Sequence, residues 1–206
     1  VVLLAGPSGS GKSYIARRTG LPVLSLDDFY KDGDDPTLPH QAGLVDWESP
    51  QAWDSATAVA TIAALARNGK AEVPVYAIGA DRRVDSRTVD LAGSPLFIAE
   101  GIFAAEIVPE CGRLGLLAGA YTLRRPRGAT FFRRLVRDLS ERRKAPALLV
   151  RRGIALSRTE SELLRRQAGL GCLPSRGGQV IRQVAALRGT VYGSGAQGTS
   201  TSGQPG

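Results

Sequence analysis

Val1-Val2-Leu3-Leu4-Ala5, running directly into Gly6-Pro7-Ser8-Gly9-Ser10-Gly11-Lys12-Ser13, decides how this chain is read. Five consecutive apolar residues suit a strand buried on both faces, as in a parallel sheet covered by helices. The spacing G-x-x-x-x-G-K-S that follows has a physical reason at each place. Gly6, Gly9 and Gly11 let the backbone curl until several N–H groups face one anion, and the positive end of the next helix adds to their pull. Ser8 and Ser10 lie within that curl, Lys12 reaches the outer phosphates of a nucleoside triphosphate, and Ser13 offers its hydroxyl to Mg²⁺. An ordinary glycine-rich turn would show the same glycines. The strand before it and the helix-forming run Ser13-Tyr14-Ile15-Ala16-Arg17-Arg18 after it favour the phosphate-binding loop, with ATP and Mg²⁺ as the expected ligands.

The 206 residues suffice for one sizeable α/β core and are too few for two ordinary domains. The longest apolar stretch, Ala56 to Ala66, is about half of what a bilayer crossing needs, so it reads as a core helix and no membrane partner is expected. The two cysteines, Cys111 and Cys172, lie far apart without a CxxC companion, which suggests neither a zinc site nor a disulfide and points to a reducing, cytoplasmic setting. The single histidine, His40, falls in a Pro-flanked polar loop and reads as a surface or substrate-rim residue. Charge is unevenly placed. Residues 1–123 carry ten basic and fifteen acidic side chains, a net −5, and residues 124–206 carry seventeen basic and four acidic, a net +13. Such asymmetry fits either a nucleic-acid surface or arginines gathered around a triphosphate, and the loop at residues 6–13 favours the second.

Four short runs read as core strands: Val1–Ala5, Pro22–Leu26, Pro95–Ala99 and Ala120–Leu123. Helical stretches separate them, as a parallel sheet requires. Residues 28–49 form a long polar loop, and Ser49-Pro50 predicts the start of a helix reaching Asn68-Gly69. Glu72–Ile78 and Val84–Leu91 have the character of a hairpin. An Arg-rich amphipathic helix is expected from Gly128 to about Arg143 and another from Pro146 to Gln167. The resulting scheme is a P-loop three-layer α/β/α domain over residues 1–188, with a mainly parallel central sheet and a small Arg-rich helical lid at about 127–145. The Gly/Ser/Thr-rich stretch 189–206 is expected to be disordered.

The residues able to carry chemistry lie at strand ends. Leu24-Ser25-Leu26-Asp27-Asp28-Phe29-Tyr30 places two carboxylates where the second strand stops, the side on which ligands gather in open α/β sheets. Asp27 is the candidate base for an attacking hydroxyl and a candidate Mg²⁺ partner through water. Two aspartates solvating a turn are the plain alternative. In Leu96-Phe97-Ile98-Ala99-Glu100-Gly101-Ile102-Phe103 a buried strand again ends in one carboxylate, followed by a glycine that permits close backbone approach. Glu100 reads as a neighbour of the metal or the acceptor, or as a helix cap. Asp46-Trp47-Glu48 and Pro74-Val75-Tyr76 add rings and acids suited to a sugar carrying a planar base, while Trp53 reads as a core residue.

These pieces occur in the order and rough spacing of uridine kinase-like P-loop kinases, a group that includes relatives of phosphoribulokinase. Gly6–Ser13, Leu24–Tyr30, Trp47–Asp54, Pro74-Val75-Tyr76, Glu100-Gly101-Ile102 and the run Phe132 to Arg142 carry the resemblance, which covers about residues 1–145. It implies ATP-dependent phosphorylation of the 5′-hydroxyl of uridine or cytidine in pyrimidine salvage, with Asp27 as catalytic base. It also implies ribose contacts from Glu48, where a shorter Asp is usual, base contacts from Tyr30 and Tyr76, and an acceptor-side role for Glu100. Ser13, Asp27 and Glu100 become the metal-side residues. The Arg-rich helix becomes a lid whose Arg134, Arg137 and Arg142, with help from Lys144, close over the phosphates. The chain departs from the family at Ala77, where Asp is frequent, near Asp81, where a histidine is usual, and at Arg143, where a lid glycine is common. Related kinases acting on a sugar phosphate or pantothenate are the nearest alternative. A nucleotide-binding regulator that grips nucleic acid with its basic C-terminal part is the alternative from another class. A homo-oligomer is compatible with all of these.

Overall fold

The computed structural model describes residues 1–41, 43–124 and 161–195, with side chains described as far as residue 191. Val2–Ala5 forms strand β1, and its side chains alternate between two cores. Leu3 and Ala5 join a cluster with Leu24, Phe97, Ala99 and Ile107, while Val2 and Leu4 join another with Ile15, Ile98, Val180 and Val184. A strand that buries both faces has no polar alternation, which is why residues 1–5 are uniformly apolar.

Four further strands complete a parallel sheet: β2 (Val23–Ser25), β7 (Ile98–Glu100), β8 (Gly119–Leu123) and β9 (Leu173–Ser175). Their order is β2-β7-β1-β8-β9. Leu4 of β1 stands in register with Glu100 on one side and Tyr121 on the other. Ser25 stands beside Glu100 across the β2–β7 ladder. Helix α1 (Lys12–Arg18) packs on one face of the sheet, and α2 (Ser55–Asn68) and α3 (Val108–Arg113) are associated with the other. Residues 161–169 are helical, forming α4, and α5 spans Gly177–Gly195 on the α1 side. The result is a three-layer α/β/α arrangement. The chain leaving β1 enters α1 on one side of the sheet and the chain leaving β7 enters α3 on the other, so the ends of these two neighbouring strands flank the crevice where ligands gather in such folds.

Two small sheets lie outside this layer. His40–Gln41 (β3) pairs antiparallel with Leu44–Val45 (β4) inside the long polar loop. Lys70–Ala77 (β5) pairs with Arg82–Asp90 (β6) as the expected hairpin, with a register shift between Val75 and Tyr76. Val73 and Val89 anchor that ribbon in the first core.

Two expectations require correction. The helix expected from Ser49 to Asn68 is broken. Ser49 does cap a short turn at Pro50–Ala52, but Trp53 is extended and bridges to Tyr30, and α2 starts afresh behind Asp54. Tertiary pairing of Trp53 overrides local helix propensity there. The boundary placed at residue 189 falls inside α5, which continues to Gly195. Val180 and Val184 are fully buried, so the helix is anchored by its first turns and propagates through the small residues that follow. The expected lid at 127–145 and the first part of the helix expected over 146–167 lie outside the described residues.

Candidate functional site

The loop after β1 takes the shape its glycines allow. Gly9 and Gly11 have φ of 76° and 88°, left-handed values that a side chain disfavours, and Gly6 lies at 143°. A Cβ on Gly6 would stand 3.2 Å from the Leu123 carbonyl oxygen and 3.2 Å from Ser10 Oγ, so the loop presses against the end of β8. Gly11 precedes α1 without a side-chain cap, and the first turn of α1 holds no acidic residue. Ser10 Oγ is buried with no hydrogen-bond partner among the described residues. An uncapped helix start, positive-φ glycines and an unsatisfied buried hydroxyl in one loop fit a bound polyphosphate.

Lys12 is buried, and its Nζ donates to the Pro7 carbonyl at 3.3 Å, which folds the side chain back across the loop. Its charge acts on both candidate carboxylates. Glu100, at the end of β7, is only 6% exposed. Burial raises its carboxyl above the usual range, against the opposing pull of a hydrogen bond from Ser13 and the charges of Lys12 and Arg17. Asp27 sits in the single 3₁₀ turn Leu26–Phe29 that directly follows β2. It keeps an exposed surface, but the protein around it desolvates the carboxyl and raises it. Lys12 opposes that shift, neighbouring Asp28 adds to it, and the Ile102 N–H, which donates to Asp27, lowers it. Each carboxylate is felt by the other.

Gly101 explains how they come together. A Cβ at this position would lie 2.8 Å from Leu26 Cβ and 3.3 Å from Asp27 Oδ1, so any larger residue would force the ends of β2 and β7 apart. Ser13, Glu100 and Asp27 supply a hydroxyl and two carboxylates around one lysine. Those are hard oxygen donors of the kind Mg²⁺ takes while keeping water and phosphate ligands. Among the described residues no group of three or more His, Cys, Asp and Glu could by itself hold a metal, so a cation here fits as a partner of a bound triphosphate.

Beside Asp27 lies a cluster of rings. Tyr30 contacts Trp47, Tyr76 and Phe103 with centroids 5.9, 5.8 and 5.9 Å away. Its phenol donates to the Trp47 carbonyl at 3.3 Å. Burial, followed by the charges of Asp27 and Glu48, raises the Tyr30 phenol, which places both carboxylates within its electrostatic reach. Tyr76 donates to the Lys31 carbonyl at 3.2 Å, and burial with nearby Asp81 and Asp32 pushes it up to about 12. Both rings therefore act as neutral hydrogen-bonding surfaces. Trp53 is in the core, with Nε1 donating to the Leu26 carbonyl at 2.7 Å. His40 is exposed and its Nδ1 meets the Leu38 carbonyl at 2.9 Å. Cys111 and Cys172 are buried free thiols.

Lys12, Ser13, Asp27 and Glu100 thus form one group, and Tyr30, Glu48 and Tyr76 form the adjoining one. Arg134, Arg137 and Arg142, with Lys144 and Arg143, lie outside the described residues. Several contributors carry no signal in the sequence. Arg83 donates to Asp54 at 3.1 Å and to the Tyr30 carbonyl at 3.3 Å, while its own N–H bonds Asp32 at 2.7 Å. Arg87 pairs with Asp28 at 3.2 Å. The β5–β6 ribbon is thereby tied to the segment that carries the rings. Phe103 follows the quoted Glu100-Gly101-Ile102 stretch, but only the fold shows that it meets Tyr30 and Trp53.

No protein-family model matches the chain. It is similar to the uridine kinase of Borrelia hermsii, with 30% identity over 149 residues covering 69% of this chain and 68% of that protein. It is also similar to the uridine kinase of Schizosaccharomyces pombe, 34% identical over 109 residues, which cover 49% of this chain and 24% of the yeast protein. The chain therefore aligns with about a quarter of the yeast enzyme and about two thirds of the bacterial one. Among solved structures, a candidate fructose transport system kinase from Silicibacter sp. TM1040 superposes with a TM-score of 0.57 at 19% identity, covering 84% of this chain and 86% of that one, a likeness of fold. With the phosphate loop, the two strand-end carboxylates and these relatives together, the chain belongs to the uridine kinase-related family of P-loop kinases.

Proposed function

We propose that this protein transfers the γ-phosphoryl group of ATP to the 5′-hydroxyl of a pyrimidine nucleoside, giving the nucleoside monophosphate and ADP. The observation that carries the reading is the position of Asp27, packed against Gly101 at the end of β7, where the Lys12 charge acts on it and its own charge acts on the Tyr30 phenol. One carboxylate so placed serves a phosphate cradle and a ring-lined acceptor space at once. The acceptor oxygen attacks the γ-phosphorus in line, the bond to the β–γ bridging oxygen breaks, and the hydroxyl proton passes to Asp27. Lys12 binds the outer phosphates and offsets the charge that develops on the transferred group. Ser13 and Glu100 would hold Mg²⁺, which supplies further charge neutralisation on the phosphate oxygens. Tyr30 and Tyr76 offer faces for a planar base, and Glu48 offers its carboxylate to the ribose. Arg134, Arg137 and Arg142 are assigned to the phosphates by family resemblance.

The residues that depart from the family point to the acceptor as the variable element. Ala77 ends β5, and Asp81, at φ 48°, accepts the Gly33 N–H through its carbonyl at 2.6 Å. Both departures fall on the ribbon that carries Tyr76, so sugar phosphates and pantothenate belong in the same assay as the nucleosides. The remaining proposals are a single kinase domain, a cytoplasmic setting and self-association; no described helix is long and apolar enough to cross a membrane. The test is Mg²⁺-dependent ATP consumption against uridine, cytidine, other nucleosides, pantothenate and sugar phosphates, with the product identified by mass. Uridine or cytidine 5′-monophosphate supports the proposal. A product from another acceptor moves the substrate and keeps the chemistry. ATP binding without turnover on any acceptor would overturn the catalytic reading in favour of a regulatory one.

A further inference from the structure

Gln167, on α4, is 1% exposed, a costly place for a primary amide unless both of its ends are bonded. Both are. Its Oε1 accepts from Thr122 Oγ1 of β8 at 2.5 Å, and its Nε2 donates to the Ile102 carbonyl at 3.0 Å. Ile102 directly follows Gly101, whose added Cβ would lie only 3.3 Å from Asp27 Oδ1, so this turn packs against the Asp27 carboxylate and its Ile102 N–H is the backbone donor that faces it. The turn it belongs to is otherwise held by Gly101 N–H to the Leu4 carbonyl at 3.2 Å and Ala104 N–H to the Gly101 carbonyl at 3.3 Å. Those two bonds bracket Ile102 and leave its carbonyl to Gln167. An apolar side chain of similar volume would fill the same space without the desolvation cost, so what a glutamine adds at this position is the pair of hydrogen bonds.

We infer that Gln167 is a positioning residue of the phosphotransfer site, fixing through Ile102 the place at which the Asp27 carboxylate meets the acceptor hydroxyl. This inference rests on the reading of Asp27 as the base. Gln167 touches no reacting atom. It acts 65 residues along the chain from Ile102, from the helix that lies within the connection between β8 and β9, just before β9. A turn free to rock would leave the carboxylate at the wrong distance for part of the time, and small misplacements of a proton acceptor are expensive in rate.

Two substitutions separate positioning from packing. Gln167→Met keeps the volume and loses both bonds. Thr122→Val loses only the strand-side bond and leaves Nε2 on Ile102. With rates expressed per titrated ATP-binding site, Gln167→Met should lower kcat about tenfold, with KM for MgATP and acceptor changed by less than about twofold. Thr122→Val should keep kcat within about twofold despite a similar loss of stability. Amide hydrogen exchange, resolved by NMR, supplies a readout that needs no turnover. The Ile102 N–H should exchange faster in Gln167→Met and at the wild-type rate in Thr122→Val. Wild-type kcat and Ile102 exchange in Gln167→Met would overturn the inference, as would losses of kcat in both variants that simply track stability. If wild-type protein turns over no acceptor, the phosphotransfer reading falls by itself. The exchange experiment then decides alone, faster Ile102 exchange in Gln167→Met supporting the link and unchanged exchange refuting it.

Discussion

Replacing Gly101 by alanine tests whether the close approach of β2 and β7 positions the two carboxylates proposed for the site, Asp27 and Glu100. The added Cβ would stand 2.8 Å from Leu26 Cβ, whereas carbon atoms settle at about 3.5–4.0 Å, so the two segments must part by roughly 0.7 Å or more. Neither is free to move. Leu26 is 1% exposed and its carbonyl is held by Trp53, while the Gly101 N–H is bonded to Leu4. Forcing a methyl into such a place costs about 1–3 kcal/mol. Asp27 follows Leu26 in the same turn and its Oδ1 lies 3.3 Å from the new atom. Its carboxylate must therefore shift by a comparable distance, which is worth roughly ten- to a hundredfold in kcat. Chemical denaturation and steady-state kinetics with Mg²⁺ and ATP, normalised to ATP-binding sites, measure the two effects. Gly93→Ala is the control. There φ is 76° and nothing lies within 4 Å of the added Cβ, so a backbone penalty of roughly 1–2 kcal/mol is expected with kcat unchanged. A Gly101→Ala protein with wild-type stability and wild-type kcat would refute the reasoning.

Asp27→Asn should abolish transfer while leaving ATP affinity close to wild type, whereas Lys12→Ala should impair both; calorimetric ATP binding beside turnover checks the pair, and near-normal turnover in Asp27→Asn would remove Asp27 as the base. Trp53→Phe should cost about 1–3 kcal/mol in denaturation experiments, because it strips the Leu26 carbonyl of a buried donor. Asp54 caps α2 through the Thr57 N–H at 3.0 Å and also bonds Arg83. Burial by itself would raise its carboxyl, but the bonds from Thr57 and Arg83 outweigh burial and hold it below its ordinary 3.8. Its contribution is therefore complete above 3.8 and fades as pH falls through the depressed folded value. Asp54→Ala should cost about 0.5–2 kcal/mol at neutral pH, and the gap from wild type should close in acid; a gap that persists unchanged at pH 2 would contradict this assignment.

The phosphate loop was legible because its chemistry is local: one strand, three glycines, a lysine and a serine in thirteen residues. Four of the five strands of the sheet were legible for a similar reason, since burial leaves apolar runs such as Val2–Ala5, whereas β9, with Leu173 and Pro174 exposed, has no such run and was missed. Asp27 and Glu100 could be found because each ends such a run, yet only the fold reveals that Gly101 brings them together. The break before α2 was hidden. Ser49-Pro50 is a proper helix start, and nothing in the neighbouring sequence announces that the Trp53 indole will seek the Leu26 carbonyl, 27 residues away. Arg83 and Gln167 were hidden more deeply still. An arginine in an exposed ribbon and a glutamine in a helix are commonplace, and their roles arise from partners 29 to 65 residues distant.

The β5–β6 ribbon shares no ladder with the five-stranded sheet. It meets the ring-lined side of the site through Tyr76, Arg83 and Arg87, whereas the loop at residues 6–13 grows out of β1, which is locked between two cores. On the proposed reading, the donor loop and the acceptor ribbon hang on different hydrogen-bond ladders while sharing one core, where Val73 and Val89 of the ribbon join Leu3 and Ala5 of β1. If the proposed function holds, changes along the ribbon should retune which hydroxyl compound is accepted while leaving the ladder partners of β1, from which the loop at residues 6–13 grows, in place.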